Sequence, residues 1–271
     1  MPSEKISVEI QSLPELNNPK LVCGLPGSGY VGKLAIDYLI DKLQATKFAE
    51  IYSHSFPPQV SIQEDGTLDL VKNSIYYCKG NSNDLVFLTG DAQPVSAEGE
   101  YSLSEEIVGI CKKMDITEIF TLAAYITGKF PKEPKVFGTS TAPQTVKEFS
   151  NFGISSMNRG NITGMNGVLI GIAKKHSLLG TCLLGETSGY VIDAKASKVV
   201  LEALCKILNL KFDMAELDQR AKDTEELIKT IQTQASAQGG SEALQMPPAD
   251  EKHLGYISWL KKQKNKLEFL K

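Results

Sequence analysis

The sequence has no long hydrophobic run. None of its apolar stretches approaches the roughly 20 residues that cross a bilayer, and no charged-then-apolar segment opens it as a secretory signal would. The expectation is a cytoplasmic protein with no membrane partner. An excess of charge of one sign is lacking too. The 29 Lys and Arg residues against 32 Asp and Glu leave a net charge of -3, whereas a general nucleic-acid binder presents a strongly basic face. Nucleic acid is therefore not an expected partner.

Paired cysteines are also missing. The five, at positions 23, 78, 111, 182 and 205, are odd in number and form no Cys-x-x-Cys pair. Cys23, Cys78 and Cys182 sit inside apolar, strand-like runs, which fits buried thiols in a reducing compartment. The three histidines, His54, His176 and His253, have no metal-ligand spacing. Gly-x-Ser-x-Gly, the nucleophile elbow, is absent. No catalytic, metal or cofactor-binding residue is assigned, and no cofactor is expected.

What is present is a regular alternation. Strands are expected at Ser7–Ile10, Lys20–Leu25, Glu50–His54, Asp84–Thr89, Glu118–Tyr125, Val136–Ser140 and Gly180–Glu186. Helices are expected at Val31–Leu43, Ser102–Met114, Thr145–Phe149, Val168–His176 and Ala194–Leu208. Strands alternating with helices of 10–15 residues imply βαβ units and a mainly parallel sheet covered on both faces. The stretch Pro57–Lys79 differs: alternating segments flank Asp65-Gly66, a strong hairpin signal. It reads as an antiparallel insertion.

The pattern Gly27-x-Gly29-x-x-Gly32 follows a strand and opens a helix, the setting of a dinucleotide fingerprint. The fingerprint also needs an acid at the end of the second strand. The only candidate, Glu50, is expected at that strand's start. No Gly-Lys-Ser/Thr follows either, so the turn is not a P-loop. We read Gly32 as a structural turn residue.

Ligands of open parallel sheets sit beyond the carboxyl ends of the strands. Gly27, Gly29, Asp91, Glu186 and the Gly164–Gly167 loop with Asn166 are the candidate cleft there. The competing reading makes the acids helix caps.

Three regions are expected: a core over 1–211, a polar helical extension over 212–236, and a linker with an apolar, basic tail over 237–271. In the extension, Leu217, Ala221, Thr224, Ile228, Ile231 and Ala235 follow 4-3 spacing, a short coiled-coil-like seam. The tail carries Trp259, Leu267, Phe269, Leu270 and Lys271 beyond Pro247-Pro248. Large apolar residues on a tether call for a surface to bury against, on the body or on a partner.

Three separated blocks carry a resemblance. They are Leu25-Pro26-Gly27-x-Gly29-x-x-Gly32, the run Ile162–Gly171, and Leu183-Leu184-Gly185-Glu186-Thr187-x-Gly189-Tyr190. Together they resemble archaeal members of the proteasome assembly chaperone family, over about Leu21–Leu210. The resemblance implies a three-layer α/β/α sandwich similar to phosphorylase- and hydrolase-like folds, without an established enzymatic activity. It implies a homo-oligomer that binds proteasome α-subunits or a related ATPase complex. Family chaperones can use a C-terminus ending in hydrophobic–Tyr–any residue; here the penultimate residue is Leu270. The alternative reading is an enzyme acting on a nucleoside or small carboxylate in the strand-end cleft, with Glu186 and Asp91 as its working residues.

Overall fold

A computed structural model of the chain describes residues 5–223 and 226, apart from residues 64 and 81. Its strands and helices follow the apolar periodicity closely. Leu85–Gly90 (β7) is buried at all six positions. Such a run suits a strand covered on both faces, and Leu88 and Phe87 enter the two opposite hydrophobic cores.

The order along the chain is β1 (Ile6–Ile10), β2 (Lys20–Cys23), α1 (Val31–Lys42), β3 (Thr46–Ser53), β4 (Val60–Ile62), β5 (Leu68–Leu70), β6 (Asn73–Cys78), β7 and α2 (Ala97–Lys113). Then come β8 (Glu118–Ile126), β9 (Val136–Ser140), α3 (Pro143–Glu148), β10 (Ile154–Ser156), α4 (Met165–Lys175), β11 (Leu179–Thr187) and α5 (Ala194–Leu208). Nine strands form one sheet in the order β1-β3-β6-β7-β2-β8-β11-β9-β10. The centre, β7-β2-β8-β11, is parallel throughout. Antiparallel pairing enters on one side through β6, β3 and β1, and on the other through β9.

Helices α1 and α5 pack on one face, α2 and α4 on the other. The result is the three-layer α/β/α arrangement with a mainly parallel sheet and an antiparallel hairpin insertion. The hairpin, β4 with β5, makes a small sheet of its own.

Several boundaries differ from the sequence reading for local reasons. Helix α2 starts at Ala97, because Ser96 caps it: its hydroxyl accepts the Gly99 N–H at 3.1 Å. Glu98 and Glu100 in the first turn, and Lys112 and Lys113 in the last, suit the helix dipole. Strand β3 begins at Thr46, which places Glu50 fifth of its eight residues and not at the start. Strand β10 has only three residues, two of them exposed, and shows no apolar pattern.

The polar extension begins against the body. Residues 215–223 are helical, and Leu217 is fully buried in the α1–α5 core. Tyr38 donates to the Asp213 carbonyl at 2.9 Å, Lys42 pairs with Glu216 at 3.0 Å, and Lys198 pairs with Asp218. Thr224, Ile228, Ile231 and Ala235 of the seam lie outside the described residues, as does the whole segment 237–271.

Candidate functional site

The strand-end loops meet around one uncharged side chain. Gln93 lies in the loop after β7. Its Nε2 donates to the Pro26 carbonyl at 2.5 Å, and its Oε1 accepts the Met165 N–H at 2.9 Å. It therefore joins the turn after β2 to the first residue of α4. The backbone at Gly27 and Gly164 passes close enough that a Cβ at either would touch the Gln93 amide, at 3.4 and 2.9 Å.

The glycine turn is braced from its other side by the β11–α5 loop and the first turn of α5. The Asp193 N–H donates to the Gly29 carbonyl at 2.9 Å, and the Ser197 hydroxyl to the Val31 carbonyl at 2.8 Å. Asp193 itself caps α5. Its carboxylate accepts the Ala196 N–H at 2.9 Å and the Thr187 hydroxyl at 2.7 Å. Burial pushes its carboxyl above the ordinary carboxylate value, against the pull of those donors.

Gly27, Gly29 and Gly32 do different things. Gly29 has φ +63°, in the left-handed region. Gly32 faces the Leu122 carbonyl of β8, where any Cβ would overlap that backbone. Gly27 is extended, with φ -174°. The sharp change of direction is completed by Tyr30, at φ +52°.

Asn166, second residue of α4, is 7% exposed. Its carbonyl accepts the Thr121 hydroxyl at 3.0 Å, and its Oδ1 is buried without a hydrogen-bond partner. It adjoins the Gln93 junction through Met165 but makes no side-chain bond to it.

The two candidate carboxylates stand apart. Asp91 follows β7 and Glu186 is the penultimate residue of β11, with β2 and β8 between those strands. At the usual strand spacing that is roughly 14 Å. Each accepts a backbone amide across a strand end: Asp91 from Lys72 at 3.1 Å, Glu186 from Lys135 at 3.2 Å. Asp91 also borders an open depression of about 370 Å³ between α1 and β6, with Lys33, Asp37 and Tyr76.

Glu50, the acid weighed for a ribose hydroxyl, lies on a strand separated from β2 by β6 and β7. In the dinucleotide fold those two strands are neighbours. Its carboxylate accepts from Lys47 at 2.6 Å and Tyr52 at 2.9 Å and pairs with Lys72 at 3.1 Å. Lys47 above all, with Lys72 and Tyr52, lowers its pKa to about 2.

All five cysteines are free, and burial raises their thiols. Among the described residues no group of three or more His, Cys, Asp or Glu could hold a metal ion, and no helix is long and apolar enough to cross a membrane. Trp259, Leu267, Phe269, Leu270 and Lys271 lie outside the described residues.

Gln93 and Asp193 were not singled out by sequence reasoning. An Asp immediately before the periodic run Ala194–Leu208 is a cap signal that identifies Asp193. Nothing in the residue type or spacing marks Gln93.

Comparison with known proteins gives a consistent result. A crystal structure of Pyrococcus furiosus PbaB, described as an archaeal proteasome activator, is 36% identical. The match covers 85% of this chain and 99% of that one, with a TM-score of 0.80. P. furiosus PbaA, described as an archaeal homologue of proteasome-assembly chaperone, is 28% identical over 85% of this chain and 93% of its own, with a TM-score of 0.70. An uncharacterised Methanocaldococcus jannaschii protein is 34% identical, over 93% of this chain and 97% of the relative. The PAC2 family model matches residues 21–232, which include all three glycine-bearing blocks and the loops that Gln93 and Asp193 hold together. The chain belongs to the PAC2 family.

Proposed function

We propose that this protein is a proteasome-assembly-chaperone-like binding protein that acts as a homo-oligomer in the cytoplasm and recognises proteasome α-subunits or a related ATPase complex. The observation that carries this reading is the likeness to PbaB, which spans nearly all of that chain at 36% identity. The site geometry agrees with it. The strand-end loops are tied to one another by Gln93 and Asp193, which suits a rigid surface rather than an acid–base pair. The nucleoside or small-carboxylate reading needs Asp91 and Glu186 to work together, and they sit on strands separated by two others. The regions 1–211, 212–236 and 237–271 serve as body, extension and tethered tail, the tail adding contacts through Trp259, Leu267, Phe269, Leu270 and Lys271.

The test is capture of purified proteasome α-subunits by the full chain, and by a chain lacking residues 255–271. Retention by the full chain and weaker retention by the shortened one are expected. No retention of an α-ring or of an unfoldase ring by the full chain would remove this reading.

A further inference from the structure

Helix α2 begins without an apolar clasp. Ser96 is its cap, and an apolar residue just before a cap often packs on the fourth helical residue. Here the residue before the cap is Val95, which is 70% exposed, and the fourth helical residue is Glu100. Glu100 is half-buried. Burial raises its carboxyl, and no cation draws it back. Among the described residues the side chains of Glu98 and Glu100 have no hydrogen-bond or ion-pair partner.

Tyr101, 57% exposed, comes three residues after Glu98 and four before Glu105, so the three share one face of the helix. Glu105 is held by Lys175 at 2.7 Å and His176 at 2.6 Å. From Ala97 to Glu106 the helix holds four Glu and no base; Lys112 and Lys113 stand at its far end. The surface is therefore an exposed ring and an exposed aliphatic side chain set among carboxylates. Covering an unpaired carboxylate is costly unless a counter-charge arrives with the cover. An ammonium group is also attracted to the face of a Tyr ring. A basic segment with apolar neighbours meets both demands.

The chain carries such a segment. Residues 253–271 hold five Lys against Glu268, with Trp259, Leu260, Leu267, Phe269 and Leu270 among them. That is +4 in a chain of net charge -3, which leaves -7 on residues 1–252.

We propose that the first turns of α2 are the resting place of the chain's own segment 253–271, which leaves them when a partner takes it. Its release to a partner rests on the tail's part in the function above. Charge and reach select this occupant. A second copy would bring a body of net -7 to an acidic surface, whereas the tail brings the opposite sign. The described extension packs on the α1–α5 side, across the sheet from α2. Between Asp223 and His253 lie 29 residues, which can span up to roughly 100 Å, so α2 is within reach. A tethered segment meets its own body at an effective concentration of about a millimolar. A contact too weak to hold a free peptide is then enough. An α-subunit competes with α2 for the tail, and its apparent affinity falls with the fraction of tail left free.

Trp259 is the chain's one tryptophan, so its fluorescence reports the tail alone. In the full chain without any client, acrylamide is expected to quench it weakly, and equally at every dilution. Glu98→Lys/Glu100→Lys and, separately, Tyr101→Ala are expected to raise the quenching at least about twofold, as is high salt in the parent. Circular dichroism of both variants should match the parent, because the side chains changed are exposed or without partners. Both variants are expected to reach half-capture of α-subunits at about three- to tenfold lower concentration, since their tails are free. Quenching in the parent as strong as in the guanidinium-unfolded chain, quenching unaltered in both variants, or protection lost on dilution would overturn the proposal. So would weaker capture by the variants, which would give the surface to the client. If the variants free Trp259 while neither they nor the parent capture an α-subunit, the resting place stands and the client reading alone fails.

Discussion

The side-chain oxygen of Gln93 accepts the backbone N–H of Met165 at 2.9 Å, across 72 residues of sequence. The same side chain donates to the Pro26 carbonyl. One neutral amide thus fastens the end of β2 to the start of α4, and it is half-buried while Met165 is fully buried.

Gln93→Ala is expected to lower stability by about 1–3 kcal/mol, because a donor at a buried position loses its partner. For a protein of this size that is roughly 2–4 °C in melting temperature per kcal/mol. Thermal unfolding reads the loss. Amide exchange identifies its origin: the Met165 N–H should exchange faster, while the β7 amides keep their protection.

The three glycines of the first turn are expected to differ in their tolerance of Ala. At Gly32 a Cβ would overlap the backbone carbonyl of Leu122, so Gly32→Ala should cost about 3 kcal/mol or more, or fail to fold. At Gly29 the cost is the left-handed φ, about 1–2 kcal/mol. Gly27 is extended, and a Cβ there would make only an ordinary contact with the Gln93 amide at 3.4 Å, so Gly27→Ala should stay within about 0.5 kcal/mol. Denaturant midpoints of the three variants check the ranking. Equal effects would mean that the turn is held by something other than these contacts.

Glu50 gives a pH dependence of definite sign. Its folded pKa, about 2, lies below the ordinary 4.5, chiefly because Lys47 donates to it. A depressed carboxyl contributes stability that is present above the unfolded value and lost as pH falls from about 4.5 toward 2. In Glu50→Gln the melting temperature should fall less steeply than in the parent over that window, and the two slopes should agree near pH 7. Parallel curves throughout would show that the Lys47–Glu50–Lys72 cluster contributes nothing in solution.

Much of the fold was legible because local patterns agree with it. The helix Ala194–Leu208 and the strand Val136–Ser140 match the expected bounds at both ends. One has a strong helical repeat behind an Asp cap; the other is a short run of strand-forming residues. The hairpin was visible in Asp65-Gly66. Strand β3 was harder: Thr46 and Lys47 are polar, and the register shifts between Lys47 and Ala49, which breaks the alternation. The start of α2 was displaced because its first turn, Ala97-Glu98-Gly99-Glu100, has little apolar periodicity.

The sequence by itself determined the local conformations, the three-layer architecture and, through its three glycine-bearing blocks, the family. Periodicity, turn chemistry and close-packing glycines act over a few residues and can be read from order alone. Only the tertiary structure decided which strands are neighbours, that Asp91 and Glu186 stand apart, that Gln93 closes the junction of two loops, and that Glu100 is half-buried beside the exposed Val95 and Tyr101. Each of these depends on pairings between residues far apart in the chain, whose energies are set by which surfaces meet and not by the residues beside them.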